Sequence, residues 1–225
     1  MTFEPASEIE NCSQMMEHIA RTGFVPLLYS GIAGFSADDI VAPQCRYHRH
    51  DDGGWSWPLW EWKGPLVTEG HFAYGKFFDG KAGFVSGEWW PDLCNYRRSR
   101  YGEPKDDSVE GMILTTLRDM GSMITRELRA ACGFTGPKMR SRFDAYVTRL
   151  QMGCRIVTED FVYPHDRHGR TYGWGWSLLT TPEQLYGREA CRCRRTPQES
   201  YTRIMKHLHT LLPHASEAQL TTLLV

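Results

Sequence analysis

Between residues 107 and 180 the chain carries three helical apolar repeats and then two short extended runs, an order that few folds accommodate. Val109, Ile113, Leu117 and Met120 recur at helical spacing, and Ile124, Leu128 and Ala131 resume the pattern after a break at Gly121 and Ser122. Thr125 suits the N-cap of this second helix and Gly133 its C-terminal stop. After the turn FTGPK, a third helix from about Arg140 to Gly153 aligns Phe143, Tyr146, Val147 and Leu150 on one buried face. RIVTEDFVY then alternates toward a strand, HDRHGR makes a charged turn around Gly169, and TYGWGWSLL returns as a second strand. Helix, helix, helix, strand, loop, strand is the order of a winged helix, although unrelated α+β arrangements share it.

A third helix that buries that stripe turns Lys138, Arg142, Ala145 and Arg149 toward solvent, because each residue advances about 100° around the axis. In a winged helix this face enters the major groove, where Arg and Lys contact phosphates or guanine edges. The turn from His165 to Arg170 adds Arg167 and Arg170 beside the neighbouring backbone. Lys138, Arg142, Arg149, Arg167 and Arg170 are therefore the candidate contacts to duplex DNA. Arginines on an exposed helix are commonly just solvated, so the argument rests on helix and wing being basic together.

The first half reads less regularly. Met15, Met16, Ile19 and Ala20 fit one face of a short helix ending at Gly23, and Ser36 caps a turn that begins at Ala37. Residues 43–65, PQCRYHRHDDGGWSWPLWEWKGP, show neither helical nor strand period and read as a loop around a tryptophan cluster. AYGKFF and AGFVS flank Asp79-Gly80-Lys81, the signature of a hairpin. NYRRSRYGEPKDD, polar with Gly and Pro, reads as a connector between halves. Thr196, Pro197 and Glu199 open a capped helix whose apolar face holds Tyr201, Ile204, Met205, Leu208, Leu211 and Leu212. The expected fold class is α+β, with a tryptophan-rich α/β half over 1–106, a winged-helix module over 107–190 and packing helices over 191–225.

Composition narrows the setting. The 26 Lys and Arg nearly cancel the 27 Asp and Glu, so attraction for phosphate must come from local clusters. No apolar run reaches membrane-spanning length and the N-terminus lacks a signal-peptide pattern, which leads us to expect a cytoplasmic protein without a membrane partner. Seven scattered cysteines favour reduced thiols over a disulfide framework. Of eight tryptophans, Trp55, Trp57, Trp60, Trp62, Trp89 and Trp90 crowd the first half, as core or as stacking platforms for bases.

The segments GFVPLLYSGIAGFSADD, WPLWEWKGPL, AYGKFFDGKAGFVSGEWWPD, NYRR and SRFDAYVTRLQMG, spread over roughly 20–212, resemble the AlkZ-related proteins of bacteria. The resemblance implies a link to winged-helix DNA glycosylases, which excise alkylated or crosslinked purines and carry a Gln-x-Gln motif at the catalytic water. This chain contains no Gln-x-Gln, and Gln151 in LQMG stands alone, so no catalytic residue is carried over.

Base excision without that motif still needs a carboxylate or amide to position water and a pocket for the extruded base. Glu61 and Glu88, each adjacent to tryptophan, are the first carboxylates to test, although such residues usually make salt bridges or face solvent. Cys45, His48 and His50, and separately Cys191 and Cys193, lack the spacing of a zinc knuckle, so no metal is expected. Phosphate loops, dinucleotide fingerprints and serine elbows do not occur, and no cofactor is expected. Three readings follow: a DNA-binding winged helix, an active glycosylase on alkylated or crosslinked bases, and a protein-interaction or small-molecule-binding module without DNA contact.

Overall fold

A computed structural model describes residues 8–51, 53–136, 138–169 and 173–224. Helix α1 (Cys12–Thr22) is capped by Asn11 and stops at Gly23, followed by β1 (Phe24–Pro26). The short α2 (Ala37–Ile40) starts at a capping box between Ser36 and Asp39. Two-residue strands β2 (His48–Arg49) and β3 (Trp55–Ser56) precede α3 (Pro58–Thr68). The hairpin β4 (Ala73–Phe78) and β5 (Lys81–Val85) turns at Asp79 and Gly80, both at positive φ, as the Asp-Gly signature requires. Helix α4 (Trp90–Tyr101) leads to α5 (Val109–Met120), β6 (Met123–Ile124), α6 (Thr125–Ala131) and α7 (Met139–Met152). The chain continues through β7 (Val157–Val162), β8 (Trp176–Thr180), α8 (Pro182–Leu185), α9 (Pro197–Leu211) and α10 (Glu217–Leu224).

The fold is α+β, as expected. Among the described residues, six strands form one sheet in the order β1-β5-β4-β7-β8-β6, antiparallel throughout. The sheet crosses residue 106, because Tyr74 of β4 faces Thr158 of β7. On the later part of the sheet, α5, α6 and α7 bury Ile113, Leu117, Leu128, Phe143, Val147 and Leu150 against Ile156 and Leu179. A second core joins α1 and α3 to β4, β5 and β7 around Met15, Ile19, Leu59, Leu66, Tyr74, Phe84 and Phe161. A third packs α4, α9 and α10 on the sheet through Trp90, Leu93, Ile204, Leu208 and Leu223. No described helix is long and apolar enough to cross a membrane.

Two stretches depart from the sequence reading. Residues 58–68 are helical rather than loop, and the buried stripe of α3 is Leu59, Lys63, Leu66 and Val67. A lysine in mid-stripe broke the apolar period, and Pro65 inside the helix signalled a turn. The connector likewise shrinks to 102–108, because 95–101 continue α4 with Arg97 fully buried. Thr125 is the first residue of α6 rather than its cap, Ile124 holding the cap position.

Asp92 joins α4 to α9. It is 1% exposed and accepts from Ser200 Oγ at 2.8 Å, Arg203 Nη1 at 2.5 Å and Arg195 Nη1 at 3.3 Å. Burial raises its pKa, but bonds from Ser200, Arg203 and Cys193 and the charge of Arg195 outweigh it and hold the carboxyl below the usual range. A depressed carboxyl stabilises the fold above its unfolded pKa of about 4, and that stability is lost as acid protonates it. Asp92→Asn should therefore cost about 2 kcal/mol at neutral pH and flatten the acid limb of stability, as read by urea melts at several pH values.

Candidate functional site

The outer face of α7 is set by its inner one. Phe143, Val147 and Leu150 are buried, so Lys138, Arg142, Ala145 and Arg149 lie on the exposed side, as the helical rotation requires. Lys138 and Arg142 make no ion pair among the described residues. Arg149 Nε lies 3.7 Å from Glu110 Oε1, with its side chain 62% exposed and its guanidinium 5.6 Å from the Tyr101 ring centre. Arg140 approaches Asp144 at 3.9 Å elsewhere on α7. Such exposed pairs contribute little and open easily.

The first half of the chain packs along one edge of α7, with Tyr101 reaching Arg149, while Lys138, Arg142, Ala145 and Arg149 stay exposed. Lys76 on β4 donates through Nζ to Thr148 Oγ1 at 2.9 Å, and its backbone N–H reaches Gln151 Oε1 at 3.3 Å. Gln151 is thereby buried as a bridge between α7 and the hairpin. Beside it, Tyr74, Lys76, Asp144, Gln151, Thr158 and Ser177 line a cleft of about 140 Å³.

The β7–β8 connection carries Arg167, exposed and bonded through Nε to His168 Nε2 at 3.1 Å. The turn closes on Asp166, whose carbonyl accepts from the Gly169 amide at 3.0 Å. Arg170 lies outside the described residues.

Sequence reasoning missed what lies against this connection. Trp174 packs into the aromatic cluster of the first half, 4.7 Å from Trp55, 5.4 Å from Trp60 and 6.0 Å from Trp57 between ring centres. Trp60 Nε1 donates to the Trp174 carbonyl at 3.1 Å. Trp174 stood in the TYGWGWSLL run, but nothing local links it to Trp55, Trp57 and Trp60, more than a hundred positions earlier.

The carboxylate candidates separate. Glu61 is exposed on α3, while Glu88 pairs with Arg203 Nη2 at 2.9 Å, and the Arg203 guanidinium sits 3.8 Å over the Trp89 ring. Glu88 is thus engaged in the bridge that holds α9 to the turn before α4. Cys45 Sγ donates to the Glu10 carbonyl and His48 Nε2 lies 2.6 Å from the Pro43 carbonyl. Among the described residues no three His, Cys, Asp or Glu side chains are arranged to hold a metal ion, and all seven cysteines are free.

A family model described as AlkZ related matches residues 9–225, nearly the whole chain. The chain belongs to the AlkZ-related family. Membership spans both the tryptophan-rich half and the basic helix, so the sheet that joins them lies within the matched region. It carries a relationship to DNA-glycosylase-like, DNA-repair proteins. No curated protein and no solved structure matches this AlkZ-related chain.

Proposed function

We propose that residues 109–180 are a winged helix that binds duplex DNA, with α7 entering the major groove and the β7–β8 connection meeting the adjacent backbone. One observation carries the reading: Lys138, Arg142 and Arg149 stand exposed along one face of α7 with the small Ala145 between them. Small residues let a helix approach base edges, and flanking cations neutralise phosphates. The order α5, β6, α6, α7, β7, β8 and the antiparallel set β6-β8-β7 support the fold assignment, and family membership supports the DNA-repair context.

Binding should be salt-sensitive, since each phosphate contact releases counterions. Arg142→Ala combined with Arg149→Ala is expected to weaken duplex binding at least about tenfold and to lower the slope of log affinity against log salt by about 2. Fluorescence polarisation with a labelled duplex at several salt concentrations reads both, and unchanged affinity and slope would overturn the assignment. The same tubes, charged with alkylated duplex, report abasic product if the protein excises bases. Glu61→Gln then distinguishes a carboxylate that positions water, by loss of product at unchanged binding.

A further inference from the structure

We propose that Tyr47, Trp55 and Trp174 form a stacking platform for unpaired bases of a DNA strand. The three side chains are 47%, 41% and 48% exposed, large values for rings that already touch one another. Tyr47 and Trp55 lie 6.4 Å apart with an interplanar angle of 24°, and Trp55 and Trp174 lie 4.7 Å apart at 24°. Beneath them Trp57 and Trp60 stack on each other at 4.8 Å and meet Trp174 edge-on. A contiguous aromatic surface open to water is costly unless something covers it.

Charge selects the occupant. Arg49 faces Trp55 across the β2–β3 pair, exposed and without an ion pair among the described residues. Arg167 is exposed in the segment that also carries Trp174, and Arg126 lies 5.0 Å from the ring centre of the neighbouring Trp176. Flat rings interleaved with arginines match a nucleic-acid strand, whose bases offer π faces and whose backbone offers phosphates. The Trp60 bond to the Trp174 carbonyl and the stack below hold the rings in place beforehand, which lowers the ordering cost of binding.

The platform rests on the reading that the wing side faces DNA, and it adds a preference for unpaired bases to that reading. Titrating the protein with a single-stranded oligothymidine is expected to quench tryptophan fluorescence. A duplex bearing one unpaired thymine is expected to bind roughly tenfold tighter than the fully paired duplex. Trp55→Leu with Trp174→Leu should abolish that preference, so that the duplex with the unpaired thymine binds no tighter than the fully paired one. Both positions are partly exposed and the Trp174 carbonyl bond is backbone, so thermal melts should confirm an intact fold. Milder Trp55→Phe and Trp174→Phe replacements should retain part of the preference. No quenching by the single strand, or a preference that survives in the leucine variant, would overturn the platform. The Arg142/Arg149 double variant separates the two ideas: it should lose duplex binding yet still be quenched by the single strand.

Discussion

Replacing Arg97 with methionine is expected to cost the fold about 3–5 kcal/mol, roughly the penalty for leaving several buried carbonyls without a donor. Arg97 is fully buried on α4 and makes no ion pair among the described residues. Its Nη1 donates to the Met152 carbonyl at 3.0 Å, and its Nη2 donates to the carbonyls of Phe77 at 2.7 Å and Leu223 at 3.0 Å. Met152 and Leu223 belong to the last turns of α7 and α10, where carbonyls have no partner within the helix. One guanidinium therefore closes two helix ends and ties both to β4. Methionine fills the volume but leaves three buried acceptors unpaired, each at about 1–3 kcal/mol before relaxation. Lysine should rescue only in part, since a single ammonium cannot reproduce the planar fork. Urea melts followed by circular dichroism read the effect, and a methionine variant within about 1 kcal/mol of wild type would refute it.

Lys63→Met is expected to work in the opposite direction, stabilising the protein by roughly 2–4 kcal/mol at and below neutral pH. Lys63 is 1% exposed, with Nζ 3.1 Å from the Trp60 ring centre and 4.2 Å from that of Phe161, and no described carboxylate pairs with it. Burial lowers its pKa from 10.5 to about 7, more than the two rings restore. Between those values the unfolded chain binds the proton and the folded one does not, so stability rises with pH through that window and is flat below it. The methionine variant should lose this rise, because nothing at position 63 titrates. The difference between the two proteins' melts at about pH 6, 8 and 10 isolates Lys63 from other groups, and equal pH profiles would refute the assignment.

The same two residues explain where sequence reading stopped. The helices from Val109 to Met152 were legible because their buried positions are apolar and their outer positions polar. The hairpin at Asp79-Gly80 and the capping boxes at Ser36 and Thr196 were legible because turn and cap chemistry is local. Residues 58–68 and 95–101 were not, since Lys63 and Arg97 look like solvated residues until their partners are known. Those partners are carbonyls and the Phe161 ring far away in sequence, together with Trp60 one turn back on α3. The exposed face of α7 followed from periodicity, whereas Glu88 was nominated without its Arg203 partner in view.

By itself the sequence determined the locally patterned elements: the helices from Val109 to Met152, the Asp79-Gly80 hairpin, which face of α7 turns inward, and which cations stand opposite it. Those depend on propensity, period and caps, all set within a few residues of one another. Only the tertiary structure decided that β4 pairs with β7 to continue one sheet past residue 106, that Arg97 closes α7 and α10, and that Trp174 joins Trp55 and Trp60. Each is a contact between segments distant in sequence, paid for by buried area and satisfied carbonyls rather than by any local pattern.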